Sequence, residues 1–250
     1  MTSVQRTPAH PSLVRGLTVL GTVALVVGNM VGTSVYTLPA SLAGEVGPLA
    51  IVAWVLTAAG YLFVALVYAR LGTRYPLTGG PYVFARAAFG EFAGFQTVWA
   101  YWLSTVIGNA GIVTGVVGYA VGFSPRMAGS VWLQFLLAQA LLWGLCAINV
   151  RGIRASARLQ IGVMVLNAVP LLGISLAMLP YLDPRNFTPF APRGVGTLAV
   201  GAAMVVWAYA GVESATIPAE EVQDPGRTIR RGTLIGYAVA TLLFLVAAVA

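Results

Sequence analysis

The sequence predicts an all-α protein that crosses a membrane several times. Hydrophobic residues make up 58% of its 250 residues and charged residues 8%, whereas soluble domains carry roughly 25% charged residues. The mean hydropathy is +0.85. The apolar residues form stretches of about 20 or more, which is the length that a helix needs to cross the hydrocarbon core.

These stretches predict seven membrane helices and one shorter surface helix. The shorter helix, at residues 82–92, carries Arg86 and Glu91 and is less apolar, as expected of an interfacial helix. The predicted membrane helices cover residues 17–42, 49–69, 93–121, 131–150, 159–179, 196–219 and 233–250.

Each predicted helix ends where proline, glycine or charged residues collect, because these residues end helices or mark a membrane boundary. In chain order, the turns after the first six helices contain Gly47 and Pro48; Arg70, Arg74 and Pro76; Pro125 and Arg126; Arg151, Arg154 and Arg158; Asp183, Pro184 and Pro189; and Glu220, Glu221, Asp224 and Arg227. The chain therefore divides into a tail (1–16), five helices (17–180), a loop (181–196) and two further helices (197–250).

The basic residues predict how the chain is oriented. All 14 are arginine, and only Arg126, Arg185 and Arg193 fall on the side opposite the N-terminus. Cytoplasmic loops of membrane proteins carry an excess of basic residues. We therefore expect a multi-pass protein of the cell membrane with a cytoplasmic N-terminal tail and an extracytoplasmic loop at residues 181–196.

The composition argues against several functional classes. Cys146 is the only cysteine and His10, in the polar tail, is the only histidine, so neither an internal disulfide nor a thiolate metal cluster is expected. No nucleophile elbow or phosphate-binding loop is present. The net charge of +7 comes from arginines at helix ends rather than from a nucleic-acid-binding patch. We expect no enzyme activity and no cofactor.

The first helix contains an unusual interruption. Residues 28–39 include two glycines, Asn29, Thr33 and Ser34, and end in Pro39. A break frees backbone amides and carbonyls, so within a membrane it must face packed protein or a cavity. Transporters use such breaks to bind solutes. Close helix packing through small residues is the alternative.

Residues 211–219 repeat the pattern of residues 32–40. Both segments read G-x4-T-[LI]-P-A, and the predicted topology gives the two copies opposite directions. Paired interrupted helices of opposite direction predict an inverted-repeat transporter with a site near the membrane midplane. Chance similarity between two apolar stretches rich in small residues is the alternative.

Two polar side chains lie inside predicted helices. Glu213 is the only acidic residue well within a span, and an intramembrane ionisable group is a functional candidate, here for protonation changes during transport. Its alternative role is to cap a broken helix end. Asn109 shares a helix face with Thr105 and either contacts a substrate or forms an interhelical hydrogen bond.

Residues 28–40 resemble the first-helix signature of the amino acid–polyamine–organocation (APC) permeases. Residues 101–109 and 207–215 are most similar to the arginine–agmatine antiporter branch, and residues 224–229 resemble the loop after the sixth helix in that family. The resemblance implies a five-plus-five inverted-repeat fold, usually within twelve helices. The chain is therefore expected to be truncated within its second repeat.

The resemblance also implies a division of roles. Backbone amides of the first-helix break hold the substrate carboxylate, and carbonyls of Met30, Trp207 and Ala210 hold its ammonium group. Residues of the third helix contact the substrate side chain, while Glu213 and Tyr101 serve in gating and proton coupling. The implied substrate-binding residues are Met30, Gly32, Thr33, Ser34, Ser104, Thr105, Asn109, Trp207 and Ala210.

The implied function is secondary active transport of amino acids by alternating access, through exchange or proton coupling, with amino acid/polyamine antiport as one form. Ser34 stands where the antiporters usually have glycine, which leaves the amino acid or amine substrate open. The expected partners are that substrate, the lipid bilayer, possible protons and a possible second copy of the chain, without nucleic acid. The alternative is a truncated or non-transporting membrane subunit that retains the fold.

Overall fold

The computed structural model describes residues 15–32 and 34–249. In this part of the chain the only β pairing is an isolated bridge between Leu17 and Val222, so the all-α prediction is confirmed. The α-helices are α1 (Val19–Met30), α2 (Ser34–Val46), α3 (Ala50–Arg74), α4 (Pro81–Phe89), α5 (Glu91–Phe123), α6 (Pro125–Ala128), α7 (Val131–Val150), α8 (Ile153–Met178), α9 (Leu198–Val206) and α10 (Pro225–Val249).

Six stretches of described helix are long and apolar enough to cross a membrane. The first, Val19–Arg74, contains α1, α2 and α3, and the packing of α10 shows that it reverses direction. Gly232 and Gly236 of α10 meet Thr22 and Val26 of α1, in increasing order along both helices. The two helices are therefore parallel.

The contacts of α10 with α3 run in the opposite order. The Thr73 hydroxyl donates to the Gly226 carbonyl (3.2 Å), and the ring of Trp54 stacks on that of Phe244 (5.0 Å between centroids). Because α10 is parallel to α1 and antiparallel to α3, the chain turns back between α2 and α3. It does so at the 3-10 turn Gly47–Leu49, as the glycine and proline there predicted.

The two interrupted helices run antiparallel. At one end, the Leu17 amide donates to the Glu221 carbonyl (3.0 Å). At the other end, Gly201 lies against Val46. The predicted opposite direction of the two repeated segments is thus present in the structure, and their breaks meet between these ends.

The core lies where α1, α3, α10 and the sixth predicted membrane helix (residues 196–219, called the sixth segment below) pack together. Its largest fully buried side chains include Trp54, Tyr209, Phe244 and Met30. Small residues allow α1 and α10 to approach closely: a Cβ on Gly236 would lie 2.7 Å from Val26 Cβ. Small residues at helix contacts are typical of membrane proteins, where apolar side chains gain little by leaving lipid.

Several helix boundaries differ from those predicted. Helix α3 extends to Arg74, α8 begins at Ile153, and α10 begins at Pro225 rather than near residue 233. Each helix was predicted to end where charged residues begin, but a membrane helix can extend beyond the hydrocarbon. Proline also suits the first turn of a helix because its missing N–H would be unpaired there.

The predicted sixth helix (196–219) corresponds to a candidate membrane span at Val195–Thr216, but it is not one continuous α-helix. Only α9 is α-helical, and 3-10 turns at Trp207–Tyr209 and Ser214–Thr216 follow it. Between these turns Ala210 is extended, with φ −60° and ψ 132°. The backbone break that the repeated pattern implied therefore occupies much of the second half of this segment.

The arginines separate between the two ends of the bundle. A Cβ added at Gly16, just before α1, would lie 2.9 Å from Arg154 Cγ. At the opposite end Arg193 forms an ion pair with Glu45 (2.9 Å). These contacts place Arg154 and Arg193 at opposite ends of the bundle.

Candidate functional site

The break in the first helix separates α1 from α2 around Gly32. The Val31 amide still donates to the Val27 carbonyl (2.7 Å), and α2 begins at Ser34. The first amides of a helix have no partner within that helix, so the start of α2 is suited to an anionic group. Thr33 lies outside the described residues.

Ser34 bridges the two sides of this break. Its hydroxyl donates to the Met30 carbonyl at 3.1 Å, in a buried position. The bond occupies one of the two lone pairs of that carbonyl. Ser34 thus holds the last turn of α1 beside the first turn of α2, a structural role in addition to the substrate-binding role expected from the sequence.

The break in the sixth segment contacts the break in the first at Gly211. Its φ is +109°, a conformation that side chains disfavour. A Cβ on Gly211 would lie 2.7 Å from Asn29 Cβ and 3.0 Å from Asn29 C. The glycine therefore allows the two interrupted backbones to touch, two residues before Glu213.

The half-buried Glu213 connects three elements. One carboxylate oxygen accepts from the Tyr101 hydroxyl (3.1 Å) and the other from the Gly211 amide (3.1 Å). The Thr216 hydroxyl donates to the Glu213 carbonyl (2.7 Å). Glu213 therefore caps the broken backbone, which is the alternative role considered for it from the sequence. It also contacts the third predicted membrane helix.

The third membrane helix, α5, presents a polar face to the two breaks. The Thr105 hydroxyl donates to the Tyr101 carbonyl (2.8 Å), a pairing within the helix. Ser104 and the Asn109 side chain form no hydrogen bond with described residues and are exposed. The interhelical hydrogen bond considered for Asn109 is therefore absent from the described part of the chain, and its amide is free to meet a solute.

These elements enclose one cavity of about 200 Å³. That volume is below the roughly 300–1,000 Å³ of drug-sized ligand sites and suits a small solute. Every predicted site residue that the structure describes lines it: Met30, Gly32, Ser34, Ser104, Thr105, Asn109, Trp207, Ala210, Tyr101 and Glu213.

Five further residues line the cavity but were not predicted from the sequence: Asn29, Gly108, Ile112, Gly211 and Ser214. Two of them carried a usable signal, since Asn29 is the polar residue within the first interruption and Gly211 begins the second copy of the repeated pattern. Gly108 and Ile112 carried no sequence signal beyond their position on the part of the helix that carries Asn109. Trp207 is 58% exposed, and its ring lies 3.8 Å from a Cβ added at Gly108.

Helix α8 contacts the first helix on both sides of its break. The Gln160 side chain occupies the space where Gly28 would carry a Cβ. The Tyr36 hydroxyl donates to Asn167 Oδ1 (3.0 Å). Residues 160 and 167 are two helical turns apart on one face of α8, so this helix supports both halves of the interrupted helix.

No group of three or more histidine, cysteine, aspartate or glutamate side chains in the described ranges 15–32 and 34–249 could hold a metal ion. The polar groups of the cavity are instead backbone amides and carbonyls, hydroxyls, two carboxamides (Asn29 and Asn109) and one carboxylate. Such a set can bind a zwitterion, with amides and carbonyls for its two charged groups.

The family model described as amino acid permease matches residues 17–250. An arginine/ornithine antiporter of Pseudomonas aeruginosa is 33% identical over 239 residues, which cover 88% of this chain and 48% of the relative. The L-lysine transport protein of Corynebacterium glutamicum is 31% identical over 90% of this chain and 46% of its own length.

The cadaverine/lysine antiporter of Escherichia coli is 31% identical, over 89% of this chain and 50% of its own length. The chain thus spans about half the length of the curated relatives it matches.

Proposed function

The chain belongs to the amino acid permease family, and from that premise we propose that it serves secondary active transport of an amino acid or amine across the cell membrane. Membership of this family points to a transporter rather than an enzyme. Exchange of an amino acid for its amine product, or movement coupled to protons, is the mechanism that we favour.

One observation carries the proposal: two interrupted, antiparallel helices open onto a single small cavity. Gly211 touches the backbone of Asn29 where they meet. Residues from three membrane segments line the space. Half-helix ends at the middle of a membrane are the means by which inverted-repeat transporters bind charged solutes.

The backbone of the substrate would lie between the two breaks. Its carboxylate would accept from amides at the start of α2, the positive end of a helix. Its ammonium would donate to carbonyls of Met30, Trp207 and Ala210. The Ala210 carbonyl accepts no hydrogen bond from described residues, so it is the best placed of the three.

The substrate side chain would extend along α5. Asn109 offers a carboxamide that has no hydrogen-bond partner among the described residues, and Ser104 and Thr105 add hydroxyls on the same face. An amide can donate or accept, so this wall suits polar or cationic side chains without selecting between them.

Glu213 would couple transport to protonation through its bond with Tyr101. The carboxylate connects the sixth segment to α5, and adding a proton would change both the charge of the cavity and the direction of that bond. Tyr101 would then act as the gating aromatic residue.

We propose further that the N-terminal tail (1–16) is cytoplasmic, that residues 17–180 form the first repeat, and that residues 197–250 begin the second after an extracytoplasmic loop at 181–196. A homo-oligomer is also part of this proposal, and measuring the mass of the purified protein in detergent tests it.

The test is binding of arginine, ornithine, lysine, cadaverine and leucine to the purified chain, measured by thermal stabilisation and with radiolabelled ligand. We expect at least one to bind. Asn109→Ala should weaken its affinity roughly 10-fold, since a hydrogen bond to a charged group contributes about that much. Asn186→Ala, which removes an exposed loop amide, is the matched control.

Glu213→Gln removes the carboxylate charge and should make ligand binding independent of pH while the protein stays folded. If no ligand stabilises a chain whose helical content is intact, the proposal fails, and the non-transporting subunit becomes the better description. Equal loss in Asn109→Ala and Asn186→Ala would remove Asn109 from the site.

A further inference from the structure

Three arginines form an exposed basic cluster at the start of α10. Arg227, Arg230 and Arg231 are exposed, whereas Ile229 and Gly232 on the opposite face are buried. Their spacing of three and four residues places them on one face of the helix. Together with Gly226, Leu234 and Ile235 they line a cavity of about 460 Å³.

Among residues 15–32 and 34–249 the two ion pairs involve Arg86 and Arg193, so no described carboxylate pairs with this cluster. Of the acids that precede α10, Glu220 accepts from the Thr78 amide (3.3 Å), and the Asp224 backbone carbonyl accepts from the Arg227 amide (3.1 Å). The cluster therefore presents unpaired guanidinium donors, which are suited to bidentate contacts with phosphate.

The surface changes from charged to apolar along the same face of α10. Leu234 and Ile235 follow the arginines within the cavity, and Ile235 is 46% exposed. Two helical turns beyond Ile235, Leu242 is 59% exposed. A phospholipid has the same order, with a charged headgroup at the membrane surface and acyl chains within the hydrocarbon.

We propose that this face of α10 binds an anionic phospholipid, with its phosphate on Arg227, Arg230 and Arg231 and its acyl chains along Leu234 and Ile235. The apolar residues beside the arginines favour a lipid over free phosphate. The site is separate from the cavity at Glu213, and the proposal does not depend on the transport function. If the arginines only set the orientation of the chain in the membrane, they would attract anionic headgroups no more strongly than any other cluster of the same charge.

The test uses the purified chain in a neutral detergent at 150 mM salt, titrated with dioctanoyl phosphatidylglycerol, dioctanoyl phosphatidylcholine or inorganic phosphate. Binding is measured by microscale thermophoresis and by lipid retention in native mass spectrometry. The triple variant Arg227→Gln/Arg230→Gln/Arg231→Gln is compared with Arg151→Gln/Arg154→Gln/Arg158→Gln, which removes the same charge at another loop of the predicted cytoplasmic face.

We expect phosphatidylglycerol to bind the unmodified chain, and phosphatidylcholine and phosphate to bind far more weakly. The α10 triple variant should lose about 100-fold in affinity, or about 5-fold for each arginine, and the control should lose little. Equal losses in the two triple variants, or no preference for phosphatidylglycerol, would overturn the proposal. If the triple variant does not fold, Arg230→Gln and Arg231→Gln singly must each lose about 5-fold for the proposal to stand.

Discussion

Replacing Gly211 with alanine should disrupt the point where the two interrupted helices meet. The glycine has φ +109°, and an L-residue in left-handed backbone costs about 1–2 kcal/mol. Its new Cβ would also lie 2.7 Å from Asn29 Cβ and 3.0 Å from Asn29 C. Backbone atoms must then shift, which costs roughly a further 1–3 kcal/mol.

We therefore expect Gly211→Ala to lower the free energy of unfolding by about 2–5 kcal/mol, the sum of these two effects. For a chain of this size, that corresponds to a fall in Tm of roughly 4–20 °C. The assay is thermal unfolding of the detergent-purified chain, followed by circular dichroism. Ligand affinity should fall as well, because the cavity is built on the displaced backbone.

Gly60→Ala is the matched control. Gly60 lies within α3, and nothing is within 4 Å of a Cβ added there. Alanine favours a helix over glycine by about 1 kcal/mol, so Tm should stay constant or rise by a few degrees. A Gly211→Ala variant with unchanged Tm and ligand affinity would refute the close contact of the two breaks.

Two further substitutions test single hydrogen bonds. Tyr101→Phe removes the donor to Glu213 and should alter the pH dependence of ligand binding, measured by radioligand titration, whereas Tyr119→Phe, at an exposed position of the same helix, should not. Tyr237→Phe removes the bond to the Ala58 carbonyl and should destabilise the chain by about 0.5–1.5 kcal/mol, because one buried hydrogen bond is lost while that carbonyl keeps its partner within α3. Unfolding measurements that showed no change in Tyr237→Phe would contradict that second bond.

The repeated pattern and the interrupted first helix were enough to predict the class, the antiparallel pair and the neighbourhood of the site. This worked because a polar, glycine-rich break has few permissible positions in a membrane. The family resemblance gave Tyr101 and Glu213 separate gating roles, but their hydrogen bond was not predicted. Spacing alone could not supply it, because the two residues are 112 positions apart.

Other features had no signal in the sequence. Contacts between α8 and the first helix join Tyr36 to Asn167 across 131 positions, and polar residues on an apolar helix have many possible partners. The start of α10 was misplaced because hydropathy ends where Arg227, Arg230 and Arg231 begin. The same error hid the basic face of that helix, which is visible only when these residues are counted as helical.

The two bonds of Glu213 differ in how they respond to a proton. Tyr101 has a hydroxyl, which can accept as readily as it donates, whereas the Gly211 amide can only donate. A proton on the oxygen nearest Tyr101 therefore reverses that bond and leaves the cap on Gly211 in place. A proton on the other oxygen displaces the amide and frees the break. The first form keeps the contact between the two broken helices, so the proton coupling proposed above would act through the charge presented to the substrate rather than through collapse of the site.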